Sequence, residues 1–417
     1  MRRAHASSAR RHLVMTVVAA LVSGLTVATL AAAAPAAAAA STEWGRPNSA
    51  GDFGVHGRGN GHGHGMSQYG AQGAAIAGRS TRQILAFYYP HTTLTTLAAS
   101  VIRVRLSNAG PYTTVIAGTN GLSVTRYGRL PSTGYSYFRL TPYGTGLAVA
   151  GKLTSSGSWK FFAKNLPSLA NFYGFGNGQV RLLLADRTIT RYHGTVGAQR
   201  SGAGEITVNR VPLDYYAQAV VPREMPASWR PAAVGAQAVA ARSYGRNAVE
   251  SSVGDPYDIC DTTMCQVYGG MAHYDRTGHL LWVDDPAAIA GNKRMVLTYG
   301  GHTIFAQFSA SNGGASVAGG TPYLVGKVDP YDAAASGDPY LAWSHSVSGS
   351  TIAKIYGLHT VTAIHVTSRD GHGMWGGRVL TARVYGTTSS GSSTHVDTTG
   401  NALASAMGAL TSFFHFV

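Results

Sequence analysis

Glu224 stands between two prolines, Pro222 and Pro226, with Val220, Val221, Met225 and Trp229 close by in the chain and an alanine-rich stretch immediately after. Proline fixes its own backbone and restricts the residue before it, so this carboxyl group is presented from a stiff segment. Against apolar walls the ionised form is disfavoured and the pKa rises, which suits a general acid. Arg223 would oppose that shift if its guanidinium turned toward the carboxylate. The competing reading is a glutamate that serves the N-terminus of the following helix through the dipole. A second group lies in Gly57-Arg58-Gly59-Asn60-Gly61-His62-Gly63-His64-Gly65-Met66-Ser67-Gln68-Tyr69-Gly70. One glycine separates His62 from His64, so on an extended backbone both imidazoles point the same way, toward a metal or a sugar. No third metal ligand suggests itself, and a hydrogen-bonded structural pair is the alternative. Ser67, Gln68 and Tyr69 beside the pair favour contacts to sugar hydroxyls. A dinucleotide loop is excluded, because G-x-G-x-x-G started at Gly57, Gly59 or Gly61 ends on His62, His64 or Met66. A cysteine peptidase built on Cys265 with His273, His279 or His302 is disfavoured: Cys260 offers Cys265 a partner, and no glycine-rich nucleophile helix follows.

These residues must be held by a folded protein. The 417 residues are 45% hydrophobic and only 12% charged, which excludes disorder, and the length suffices for two or three domains. Arg2, Arg3, Arg10 and Arg11 precede an apolar run from Leu13 and an alanine tract ending at Ala40, the order of a secretory signal. An uncleaved anchor helix is the alternative, and the paired arginines hint at twin-arginine export. Removing residues 1–40 takes four of the 33 Lys+Arg and none of the 18 Asp+Glu, so the remainder has 29 against 18, a formal +11. No later stretch is long and apolar enough to span a membrane. The positive side chains are scattered, without zinc-finger spacing or a basic helix, so nucleic acid is not an expected partner. An anionic wall polymer remains.

Ala71 to Ala77 reads as a small-residue helix closed by Gly78, and Ser80 with Gln83 has capping-box spacing for a helix over Arg82 to Tyr89. From Ala99 to about Gly204 short β-rich runs alternate with Gly, Ser, Thr and Pro clusters, as in an antiparallel sheet or barrel. Leu213 to Val221 predicts a short helix ending before Pro222; Pro231 suits a first helical position, and Ala232 to Val249 continues as a long helix. Strand-like runs return at Met295 to Tyr299, Thr303 to Phe308, Thr360 to Thr367 and Arg378 to Tyr385.

The run Asp214-Tyr215-Tyr216 through Val220-Val221-Pro222-Arg223-Glu224-Met225-Pro226-Ala227-Ser228-Trp229, followed by Ala236-Gln237-Ala238-Val239-Ala240-Ala241-Arg242-Ser243-Tyr244, resembles the core of the stage II sporulation protein D / LytB family. Similar too are Asp258-Ile259-Cys260-Asp261-Thr262-Thr263-Met264-Cys265-Gln266-Val267-Tyr268, Phe308-Ser309-Ala310-Ser311-Asn312-Gly313-Gly314 and the glycine–histidine motif. The resemblance implies cell-wall work. Sporulation members are lytic transglycosylases, whose catalytic glutamate corresponds to Glu224; the LytB branch was named for enhancing a wall amidase. It also implies a substrate groove bearing His62, His64, Ser67, Gln68, Tyr69, Arg242, Tyr244, Ser309, Ser311 and Asn312. Asp214, Asp255, Asp258 and Asp261 are available if a second carboxylate is needed, as in a hydrolytic glycosidase. Some members bind zinc through histidine and cysteine around Cys260 to Cys265, but Met264 stands where histidine is common, and a thioether is a poor zinc ligand. A Cys260–Cys265 disulfide is therefore expected in an exported protein, with zinc held by His273 or His279 and a free thiol pair as the alternatives.

The expected fold is α+β, mostly strand, with one long helix packed on sheet. Residues 1–40 form the signal, 41–98 the glycine–histidine segment, 99–200 a β-rich domain, 201–345 the core, and 346–417 a β segment completing it. The expected function is an exported, wall-associated lytic transglycosylase using Glu224, without cofactor. The alternative is a non-catalytic wall-binding protein that partners a wall amidase. Peptidoglycan glycan strands are the expected ligand in both.

Overall fold

In the seven-stranded sheet, antiparallel except for the short parallel edge strand Ile259–Cys260, Ile102 and Val104 of strand Val101–Arg105 point inward while Val101, Arg103 and Arg105 face outward. This period-two alternation recurs along Gln179–Leu183 and Ile189–His193 of an eight-stranded sheet, and it seals one apolar core between the two sheets. The computed structural model describes residues 39–116, 121–174, 178–335 and 337–417; the expected signal lies outside them except for the short strand Ala39–Ala40. The architecture is α+β and mostly strand. None of the described helices is long and apolar enough to cross a membrane.

A second core surrounds the helices. Helix α1 (Gln68–Ile76) starts three residues before its expected position because Ser67 Oγ accepts the Gly70 N–H at 3.0 Å. Helix α2 (Thr81–Tyr88) carries the capping box that Ser80 and Gln83 announce. Helix α3 (Leu213–Glu224) corrects the sequence reading, because Pro222 lies inside it. In the last turn the missing proline N–H removes only one intrahelical bond. Pro226 ends the helix instead, by keeping Met225 extended at φ −142° and ψ 135°. Glu224 is thus the last helical residue. Helix α4 (Pro231–Ser251) begins with its proline at a first-turn position and is buried on nearly every face, its alanines closing against both cores.

Strand Asp52–Gly57 lies between Trp343–Ser348 and Phe414–Phe416, so the N-terminal segment is stitched to the C-terminal one. Two helices in the latter, α5 (Gly349–Tyr356) and α6 (Gly400–Met407), were read from the sequence as part of a β segment. They pack on the five-stranded sheet around Thr360–Arg369. Ser348 and Thr399 cap their starts, and Gly357 and Gly408, both at φ 68°, close them.

Candidate functional site

Met66–Ser67 pairs in parallel with Phe308–Ser309, and isolated bridges join Asn60 to Ser311 and His64 to Val317. This pairing lays the glycine–histidine loop along the 308–312 segment, next to the end of α3. The close approach depends on glycine. Gly65, at φ +67°, has the Gln307 carbonyl oxygen 2.1 Å from where a Cβ would stand, and Gly63, at φ +75°, has the Arg378 guanidinium at 2.5 Å. The result is an open cleft lined by Asn60, Gly61 and His62 on one side, Gln307 to Ala310 on another, Tyr244 of α4, and Thr263 to Cys265 with Val267 opposite. Glu224 lies in this cleft and is the only carboxylate among its described lining residues.

The Glu224 carboxyl accepts the Val267 N–H at 2.8 Å through Oε1. Burial pushes its pKa above the ordinary glutamate value; the Val267 hydrogen bond and the Arg223 charge oppose that shift without cancelling it. Arg223 does not turn onto the carboxylate as a partner: its guanidinium lies over the Trp282 ring, 5.0 Å from the centroid. Tyr244 is half-buried beside Phe305, at a ring separation of 4.7 Å, and its phenol pKa is raised by burial and then by the Glu224 charge.

The two imidazoles stack with centroids 5.2 Å apart, and His62 Nδ1 accepts the His64 N–H at 2.9 Å. Desolvation, His64 and the cation of Arg378 lower the His62 pKa to about 4. A hydrogen bond to the Phe308 backbone and the ring's exposure to solvent oppose that lowering without reversing it, so the ring is neutral. An Nδ1 that accepts a hydrogen bond leaves the Nε2–H as the donor of a neutral His62. Arg378, 2% exposed, supports the loop from beneath through the carbonyls of Asn312, at 3.0 Å, and Gly61, at 3.4 Å.

The other residues expected in the groove divide. Ser309 lines the cleft, and its buried Oγ has no protein partner. His64 is one step back, with Nδ1 3.3 Å from the Val317 carbonyl. Tyr69 packs edge-on against Trp229 and Tyr340, and Gln68 is buried in α1. Ser67, Ser311, Asn312 and Arg242 are fully buried and present no surface to a ligand. Ser67 and Ser311 donate to Asp332, and Asn312 and Tyr88 donate to Asp329, so this polar cluster ties α1, α2 and the 308–312 segment together. Arg242 forms an ion pair with Asp214 at 2.8 Å on another side of α4. Asp258 pairs with Arg103 and Asp261 accepts from Ser107, so these two carboxylates serve structure, and neither they nor Asp255 line the cleft. Asn60 and Gln307 are cleft residues that the sequence reading did not select. Asn60 sat inside the glycine–histidine motif, and Gln307 directly precedes Phe308.

Cys260 and Cys265 are bonded to each other, and the loop they close carries Thr263 and the exposed Met264 to the cleft rim. The donor set does not fit zinc: both sulfurs are committed, Met264 offers a thioether at the surface, and His273 Nδ1 is 2.8 Å from Thr190 Oγ1. Reduction should lower the unfolding free energy by about 2 kcal/mol, the chain-entropy value for so short a loop. Denaturant melts with and without reductant check this, and complete unfolding on reduction would contradict it.

A cleft with a single half-buried carboxylate among its described lining residues, built from α3, α4 and a disulfide-closed loop, defines the class of site. Residues 201–299 match the family model described as SpoIID, stage II sporulation protein, and this part of the chain is a SpoIID/LytB-family domain. The chain is 36% identical over 135 residues to an amidase enhancer of Bacillus subtilis (strain 168), an alignment covering 31% of this chain and 16% of that protein. It is 35% identical over 144 residues to stage II sporulation protein D of the same organism, covering 30% of this chain and 41% of that relative. The chain thus spans less than half the length of either relative.

Proposed function

We propose that this protein cleaves peptidoglycan glycan strands as an exported, wall-associated lytic transglycosylase. The observation that carries the reading is that Glu224 is the lone carboxylate among the described residues of the cleft and is held by burial toward its protonated form. Hydrolysis with two carboxylates needs a second acid at fixed separation. A transglycosylase needs one. Protonated Glu224 gives its proton to the glycosidic oxygen as the C1–O bond breaks. The carboxylate then takes the proton of the sugar's own C6 hydroxyl as O6 bonds to C1, and a 1,6-anhydro ring closes without water. The unpaired Ser309 Oγ and Tyr244 are the groups assigned to hold the sugar, with the exposed His62 ring, whose N–H is shared with the Phe308 backbone, beside them.

The name of the amidase-enhancing relative favours a second reading, in which the same cleft grips glycan without cutting it and the protein stimulates a wall amidase. A pH profile on stripped glycan strands tests the first. Because the Glu224 pKa is raised, its acid form persists above the pH at which an ordinary glutamate of pKa about 4.3 ionises. Activity should therefore hold through that region and fall on the alkaline side. A rate that instead rises with pH to a plateau would mean that Glu224 is not the acid.

A further inference from the structure

The outer face of the eight-stranded sheet carries a second cleft, lined by Lys152, Arg187 and Arg276 with Tyr137, Trp159 and Ile189 and, among the described residues, by no carboxylate. Strand register extends the cationic face beyond it. Lys152 faces Tyr137, Tyr137 faces Ile116, Ile116 faces Arg181, and Arg181 faces Arg191, so one row across five strands holds three cations on the same side. Like charges directly opposite one another are destabilising, and Arg181 and Arg191 are such a pair. Lys152 and Arg139 crowd together over Trp159, at 4.8 and 4.3 Å from its ring centroid. None of these six cations forms an ion pair among the described residues. Three acids flank this face: Glu205 accepts the Thr113 N–H, Asp186 accepts from Thr188, and Asp275 accepts from Thr277 and His279; the charges of Glu205 and Asp186 act on Arg139 and Arg276, but without an ion-pair contact. The undescribed residues beside this sheet, 117–120 and 175–177, contain no acid.

We infer that this face binds a linear phosphodiester polyanion, at a site separate from the Glu224 cleft. At about 4.8 Å per strand, Lys152 and Arg181 are about 14 Å apart, farther than a small anion can bridge. A chain of repeating phosphates neutralises both ends, and the two free oxygens of one phosphodiester bridge the facing arginines. The rings of Trp159 and Tyr137 hold the lysine end in place before any ligand arrives. Glycan cleavage and polymer capture thus fall to different surfaces of one protein.

The test is binding of labelled poly(glycerol phosphate), which contains no amino sugar and so does not report on the Glu224 cleft. It is measured with the parent and with Arg181→Gln/Arg187→Asn. The Arg181 side chain makes no hydrogen bond or ion pair among the described residues, and Arg187 sits at φ 68°, a conformation asparagine tolerates, so the double variant should fold. Its melting temperature should equal or exceed the parent's because a like-charge contact is gone. Parent binding should fall steeply with salt. The variant should bind about tenfold more weakly, the scale of losing charge-assisted contacts. Failure of the parent to bind, equal binding by parent and variant, or equal parent affinity for poly-glutamate of matched length would overturn the inference.

Discussion

Glu224→Gln should reduce glycan cleavage by about 10²–10⁴-fold, the usual contribution of a general acid. The amide keeps the size of the side chain, and its oxygen can still accept the Val267 N–H, so the cleft retains its shape. It has no proton to give to the leaving oxygen. Stability should move the other way. A carboxyl whose folded-state pKa is raised binds its proton more tightly folded than unfolded, so its ionisation weakens the fold as pH rises through that range. The amide does not ionise, and the variant should melt no lower than the parent at neutral pH and higher on the alkaline side. Glycan binding should survive. An inactive variant that also melts well below the parent would point to a structural role for Glu224.

Arg242→Met should leave the chemistry and remove the scaffold. The guanidinium is fully buried, pairs with Asp214 at 2.8 Å, and donates to the Met295 carbonyl at 3.0 Å and to Asn292 Oδ1 at 3.3 Å. Breaking a buried pair from one side typically costs about 3–5 kcal/mol, and with Asp214 25% exposed the loss should fall at the low end of that range. The melting temperature should therefore fall sharply while kcat per folded molecule changes little. A variant of unchanged stability that no longer cleaves would instead place Arg242 at the substrate.

Arg242 shows where the sequence was legible and where it was not. Its motif marks a real constraint, but a polar residue in a family-like run reads equally as a ligand for sugar or as a buried ion pair, and only the fold separates the two. Ser67, Ser311 and Asn312 repeat the lesson. Their partners Asp329 and Asp332 lie 17 to 265 residues away in sequence. Local signals fared better where the physics is local: the Ser80–Gln83 box starts α2, and Pro231 opens α4. Pro222 misled because a proline in a last helical turn is cheap, whereas Pro226 acts on Met225 and does end the helix. The caps Ser348 and Thr399 with their closing glycines were visible signals for α5 and α6, hidden by the strand-rich sequence around them. The meeting of His62 with Glu224 had no local signal. It rests on a parallel pairing between residues 66–67 and 308–309, a long-range register that periodicity cannot reveal.

The most direct measurement is mass spectrometry of the ends produced when the protein, freed of residues 1–40, is incubated with glycan strands stripped of stem peptides. Strands should end in 1,6-anhydro sugars, one water lighter than hydrolysed ends, with the parent and not with Glu224→Gln. Reducing ends formed with uptake of water, or strands left whole by a parent protein that still stimulates a wall amidase, would contradict that.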